Sequence, residues 1–177
     1  ELEKDKVNFR PISSNLDFDY ILDTYVINDH IYISGKKTLN ENETKIEIVK
    51  GKIDTNNINF ESLIELRSDK CIFRYSVHSG KIQALNNNDN KILLSINSSG
   101  YTDNPSLESL SPDSICGKIL LIDVNKKNYE IYSSGHRNII GLFSDKNIVL
   151  ATEHGPFSGD EINNIKNNMS YGWPVAS

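Results

Sequence analysis

The sequence predicts an all-β chain on three observations: short segments of strand length with period-two alternation, polar turn clusters between them, and no stretch keeping a helical apolar period beyond a turn or two. The segments are 20–27, 30–34, 45–49, 58–66, 72–77, 91–96, 118–124, 128–132 and 147–151, each rich in β-branched and aromatic residues. Between them lie turn formers such as Asn28-Asp29, Asn56-Asn57, residues 86–90, Asp103-Asn104-Pro105 and Ser144-Asp145-Lys146. One short helix is expected at 160–166, where Asp160 and Glu161 would sit favourably at its N-terminus.

Many short strands fit a sandwich, a barrel or a propeller. A repeated phrase points to the propeller. Asp29-His-Ile-Tyr-Ile-Ser34, Asp89-Asn-Lys-Ile-Leu-Leu-Ser95 and Asp145-Lys-Asn-Ile-Val-Leu150 each set a polar turn before an apolar strand. They recur at roughly 60 residues, near the long end of propeller repeats. The expectation is a single domain over 1–177, a β-propeller of four-stranded antiparallel blades. Residues 97–114 read as a polar loop too long for a hairpin, and long loops are often functional.

Composition narrows the partners. Hydrophobic residues make up 37% and charged residues 24%, ordinary for a globular protein. Net charge is −5 with no Lys/Arg block, which argues against nucleic acid and anionic membrane. No apolar run approaches the roughly 20 residues that span a bilayer. The opening Glu1-Leu-Glu-Lys-Asp-Lys6 has neither an initiator Met nor a signal-peptide core, so it reads as a processed end or the edge of a longer sequence. Cys71 and Cys116 either pair in an oxidising compartment or stay as buried thiols.

The chemistry collects in the last third: Ser134-Gly-His-Arg-Asn-Ile-Ile-Gly-Leu142, Ala151-Thr-Glu-His-Gly-Pro-Phe-Ser-Gly-Asp-Glu-Ile-Asn163 and Tyr171-Gly-Trp-Pro174. Arg137 and Asn138 suit an anionic, oxygen-rich ligand, since guanidinium grips carboxylates bidentately and an amide both donates and accepts. Glu153, Asp160 and Glu161, with the carbonyls of Gly155 and Pro156, are the hard oxygens that calcium prefers. Trp173 offers a flat face to a ring or a sugar, and Trp173 and Tyr171 can equally be core aromatics. His136 and His154 read as loop-orienting groups, because no third nitrogen or sulfur ligand has transition-metal spacing.

These three phrases, in this order and spacing, resemble the soluble glucose/sorbosone dehydrogenase family. Its members are six-bladed propellers that use pyrroloquinoline quinone and calcium to oxidise aldose sugars. The resemblance covers about residues 77–174 and includes Cys116-Gly-Lys-Ile-Leu-Leu-Ile122 before the Arg-Asn phrase. It implies that Arg137 and Asn138 contact the quinone, with Trp173 beside it, and that the carbonyls of Gly155 and Pro156 hold the calcium that polarises it. It further implies that Glu161 and Tyr171 match positions of a structural calcium. His78, in Val77-His-Ser-Gly-Lys-Ile82, is similar to the family's general base, which takes the sugar C1 hydroxyl proton. A periplasmic or extracellular location is implied by the same analogy.

The chain departs from the family pattern at named places. Its His78 phrase is one residue shorter and has Val77 where an acid stands, Ile96-Asn97-Ser98 replaces Ile-Gly-Asp, and Ile139-Ile140 replaces Pro-Gln. A six-bladed propeller needs about 24 strands at four per blade, and this sequence offers about half. The expectation is therefore half a propeller, completed by further chain segments or by a second copy. Two functions follow: a sugar dehydrogenase, or a non-enzymatic calcium-binding propeller whose redox site has decayed.

Overall fold

Strands separated by only a few turn residues pair most cheaply as antiparallel hairpins, and this chain does so repeatedly. The computed structural model describes residues 11–40, 43–67, 71, 80–98, 107–156 and 159–175. In chain order the strands are β1 (Ser13–Ser14), β2 (Tyr20–Ile27), β3 (His30–Asn40), β4 (Glu43–Lys52), β5 (Asn57–Ile58), β6 (Phe60–Arg67) and β7 (Ile82–Ala84). They continue as β8 (Lys91–Ile96), β9 (Lys118–Asp123), β10 (Asn128–Ser134), β11 (Ile139–Asp145), β12 (Ile148–Glu153), β13 (Glu161–Asn164) and β14 (Met169–Ser170). Among the described residues the only helical turns are 3₁₀ turns at Leu85–Asn87 and Leu107–Ser109.

The strands form an N-terminal sheet β2-β3-β4-β6, a central sheet β14-β10-β9-β8-β7, a C-terminal sheet β11-β12-β13 and a small parallel pair β1-β5. Among the described residues a sheet of four strands is met in the N-terminal sheet. The central sheet has a fifth strand because β14, after the C-terminal sheet, returns to lie parallel to β10. The helix expected at 160–166 is instead strand β13, antiparallel to β12 with Ile162 opposite Thr152. Glu-Ile-Asn-Asn carries no apolar stripe to bury as a helix, whereas the open edge of β12 offers it a ladder. The expected strand at 58–66 is interrupted at Asn59, between β5 and β6. The segment 72–77 lies outside the described residues.

The central sheet is buried on both faces, and its sequence says why. In β8 and β9, Ile92, Leu94, Ile96, Leu120 and Ile122 point into one core with Leu22, Tyr32, Ile46 and Ile48 of the N-terminal sheet. Their neighbours Leu93, Ile119 and Leu121 point the other way, into a second core with Ile139, Val149 and Ala151 of the C-terminal sheet. A strand covered on both sides needs a continuous apolar run, which Lys-Ile-Leu-Leu provides in both β8 and β9.

The repeated Asp phrase has a structural counterpart. Each copy falls on the turn into the second strand of its sheet, β3, β8 or β12, and neighbouring copies touch. Asn28 donates from Nδ2 to Asp89 at 3.1 Å, and Asn87 donates from Nδ2 to Asp145 at 3.1 Å. Equivalent turns of successive sheets are thereby tied to one another.

The two outer sheets end differently. On the far face of the N-terminal sheet Ile33 and Val49 are buried, and the segment before β2 lies over it. Phe18 sits directly on Gly35, Asp17 pairs with Lys37, and Asn15 clamps both backbone groups of Phe60. The far face of the C-terminal sheet carries Phe143, Ile148 and Ile162, which are 53%, 51% and 75% exposed.

Cys71 and Cys116 are joined as a disulfide with Cα atoms 5.6 Å apart, resolving the alternative left by the sequence. Closing a loop across 45 residues contributes about 4 kcal/mol on the chain-entropy account. Beside it, the fully buried Lys118 donates from Nζ to the carbonyls of Glu108, Ser109 and Cys116 at 2.9, 2.7 and 2.9 Å. Burial pulls its ammonium down from 10.5 to about 8, with Glu108 opposing the shift. The unfolded chain therefore binds more protons between pH 8 and 10.5, and Lys118's contribution to stability rises with pH across that window. Replacing it by Met takes the ammonium donor from three carbonyls, of which Ser109 O keeps Gly135 N–H and Glu108 O keeps Ser111 N–H, and is expected to cost roughly 1–3 kcal/mol. The melting-temperature gap between wild type and Lys118→Met should widen from pH 8 to 10.5 and stay flat below pH 7.5, as read by calorimetry.

Candidate functional site

The site is built where three loops meet at one end of the central and C-terminal sheets. The β10–β11 corner supplies Gly135, His136, Arg137 and Asn138; the β12–β13 loop supplies His154, Gly155, Pro156 and Asp160; and the chain after β14 supplies Tyr171 and Trp173. The parallel return of β14 is what brings the third loop in. Tyr171 N–H donates to Ser134 O at 2.9 Å and Trp173 N–H to Gly135 O at 3.0 Å, extending the β10–β14 ladder around the corner. Gly135 turns that corner at φ 72°, and a Cβ there would lie 2.6 Å from the amide nitrogen of Gly172. The loop before β9 backs it, with Gly135 N–H to Ser109 O at 2.8 Å and His136 N–H to Gly117 O at 3.1 Å.

Arg137 is held across the pocket. Its guanidinium donates to His154 O at 2.8 Å and Gly155 O at 3.2 Å and lies 5.4 Å from the ring centre of Trp173, a cation–π contact. Trp173 in turn donates its indole N–H to Ser98 Oγ at 3.0 Å. The pocket, lined by these residues with Glu161 and Tyr171, keeps about 10 Å³ of open volume, enough for one water. Any larger ligand therefore rests against its mouth.

Asn138 is 3% exposed, and neither its Oδ1 nor its Nδ2 has a hydrogen-bond partner among the described residues. Its backbone is fixed, since His154 N–H donates to Asn138 O at 2.9 Å. Asp160 accepts from Gly155 N–H at 3.2 Å and faces His154 Nδ1 at 3.4 Å. Glu161 is exposed and accepts from Asn163 at 3.0 Å. Tyr171 stacks on His136 at 4.9 Å, and its hydroxyl donates to Asn164 O at 2.6 Å. The structure thus brings Arg137, Gly155, Pro156, Glu161, Tyr171 and Trp173 around one pocket, with Asn138 buried behind it and Asp160 bracing one wall. His78 lies outside the described residues. Among the described residues no three His, Cys, Asp or Glu side chains gather as a metal site, so a cation there would rest on main-chain oxygens.

Sequence reasoning placed His136 as a loop-orienting group but missed its partner Ser133, which had no motif of its own. Ile139, read as a departure from the family phrase, is 1% exposed in the core against the central sheet.

The fold is all-β and propeller-like, with a small pocket at the strand ends. The Glucose / Sorbosone dehydrogenase family model matches residues 18–177, and the chain belongs to that family. It is 51% identical over 45 residues to quinoprotein glucose dehydrogenase B of Acinetobacter calcoaceticus, covering 25% of this chain and 9% of the relative. It is 44% identical over 50 residues to aldose sugar dehydrogenase YliI of Escherichia coli strain K12, covering 27% of this chain and 14% of the relative. A solved glucose dehydrogenase shares the fold with a TM-score of 0.74 at 20% identity, over 96% of this chain and 55% of that one. The chain thus spans about half the length of that solved relative.

Replacing Gly135 by Ala imposes a left-handed strain of about 1–2 kcal/mol plus a clash with the Gly172 backbone. The variant should melt at least 5 °C lower, and the emission of Trp173, the single tryptophan, should shift as the third loop loosens.

Proposed function

We propose that this chain forms one wall of a quinone- and calcium-dependent site that oxidises aldose sugars at C1. The observation that carries the reading is the orphaned amide of Asn138. Burying an amide without partners costs about 1–3 kcal/mol, so it is retained where something else satisfies it. It adjoins Arg137 in the chain, and Arg137 offers a cation at the pocket. The Asn138 amide, buried outside the lining, offers a donor and an acceptor to a flat, polyanionic, carbonyl-bearing ring, through a bridging water or to a ring that seats more deeply than the ligand-free pocket allows. The residues fit a calcium ion as well: Gly155 O keeps a second lone pair beside its bond to Arg137, Pro156 O lies next to it, and the Glu161 carboxylate lines the same pocket.

When bound, the quinone supplies the hydride acceptor. This chain's own residues do the rest. Arg137 neutralises ligand charge, Trp173 backs Arg137 and flanks the ring, and Gly155 and Pro156 present oxygens to calcium. His78 accepts the sugar hydroxyl proton, by resemblance. The disulfide favours an oxidising compartment, consistent with the periplasm or the extracellular space. The open apolar face of Phe143, Ile148 and Ile162 suits a further sheet of a six-bladed propeller, from additional polypeptide or from a second copy.

Quenching of Trp173 fluorescence tests the binding. Pyrroloquinoline quinone with calcium should quench it at micromolar concentration, and no quenching at a hundredfold higher concentration would remove the proposal. Asn138→Ala should weaken that binding about tenfold while leaving the ligand-free melting temperature unchanged or higher. Reduction of a redox dye by aldoses then separates the enzyme from the non-enzymatic calcium-binding alternative. His78→Gln should abolish dye reduction with binding intact; undiminished turnover would take His78 out of the mechanism.

A further inference from the structure

From Glu153 in the pocket wall a buried chain of side chains runs inward, and the ligand contacts do not use it. Ser133 Oγ lies 2.8 Å from His136 Nε2, His136 Nδ1 lies 3.2 Å from Glu153 Oε2, and the other oxygen of Glu153 accepts the Arg137 backbone N–H. Ser133, His136 and Glu153 are 1%, 0% and 6% exposed. A serine, a histidine and a carboxylate in this order have the composition of a nucleophilic triad. Their geometry serves another purpose, because Ser133 and His136 do not line the pocket and Glu153 has both oxygens engaged.

We propose that Glu153 and His136 are positioning residues that set Arg137 from behind. Glu153 ends β12 opposite Ile139, where the β11–β12 register shifts, so the backbone there has no regular ladder to fix it. The carboxylate takes the place of the missing ladder bond at Arg137, and His154 N–H does the same at Asn138 O. His136, packed flat on Tyr171, locks the carboxylate's orientation. A carboxylate only accepts, so His136 bears a proton on Nδ1, and in the neutral imidazole its Nε2 accepts from the Ser133 hydroxyl. The unit deepens the reading of Arg137 as a ligand contact and rests on it only for its functional consequence.

An isosteric change reverses the relay. In Glu153→Gln the side-chain oxygen must still face the Arg137 N–H, so the amide NH₂ faces His136 Nδ1. The imidazole must then carry its proton on Nε2 and donate to Ser133. Nitrogen-15 NMR of the ligand-free chain should show His136 as the Nδ1–H tautomer in wild type and Nε2–H in Glu153→Gln. The Arg137 amide proton should lose its downfield shift as its acceptor changes from charged to neutral. An unchanged tautomer or an unmoved Arg137 amide overturns the proposal, whatever the ligand proves to be. In quinone titrations, Glu153→Gln should stay within about threefold of wild type. Glu153→Ala should weaken binding about tenfold, with no further loss when combined with Arg137→Ala. Additive losses in that pair overturn the positioning role, and if Glu153→Ala does not fold, the Glu153→Gln spectra decide alone. Wild type that binds no quinone defeats the proposed function while leaving the NMR outcome to stand or fall separately.

Discussion

Everything in this structure depends on the central sheet being buried on both faces. With Ile92, Leu94, Leu120 and Ile122 on one side and Leu93, Ile119 and Leu121 on the other, β8 and β9 present no polar face to water. Such strands are unstable unless both neighbouring sheets dock, so folding of the three sheets is coupled. Each fully buried Leu or Ile side chain contributes about 1.5–3 kcal/mol relative to exposure. The disulfide reinforces the same joint by tying the chain after the N-terminal sheet to the entry of β9.

That coupling positions the pocket. The Arg137 loop is the link between the central and C-terminal sheets, so its geometry is inherited from their packing. Its side walls come from later chain: the β12–β13 loop from one sheet, and the Tyr171–Trp173 corner from β14, which crosses back to the other. A loop set by two rigid sheets can hold a buried, unsatisfied amide at Asn138, because neither sheet can move to relieve it. Lys118 contributes from below, with its ammonium gathering three carbonyls of the loop that supports Gly135 and His136. The buried polar groups are thus concentrated around the one region where a ligand would use a fixed frame.

Much of this was legible in the sequence. The strands at 20–27 and 91–96 fall where short alternating or apolar segments put them, and the repeated Asp turn marks the second strand of each sheet because those turns touch across sheets. Arg137, Gly155, Tyr171 and Trp173 were identifiable as a group because Gly and Pro flank them at strand ends. What was hidden is long-range. Strands β7, β13 and β14 are two to four residues long, too short to show a period, and each pairs along an open sheet edge. Residues Glu161–Asn164 looked helical because two acids at a helix start are locally favourable, but the edge of β12 outweighs that local preference. Ser133 had no signal, since its role depends on a histidine folded back against it.

The two outer faces give the assembly a direction. A terminal repeat in a stacked array needs a polar or covered outer face, whereas an internal one needs an apolar face for its neighbour. The N-terminal sheet meets the first condition: its far face is covered by the chain's own first segment and laced by Lys37–Asp17 and Lys45 with Glu47 and Glu65. The C-terminal sheet meets the second, with Phe143, Ile148 and Ile162 open. Closing a ring with a second copy would bring the apolar face of one chain against the covered face of the other, so the segment carrying Asp17 and Phe18 would have to move aside. Stacking a further sheet on Phe143 and Ile162 requires no such displacement. Of the two outer faces, the open C-terminal one is therefore the face that a further sheet covers without displacing Asp17 and Phe18.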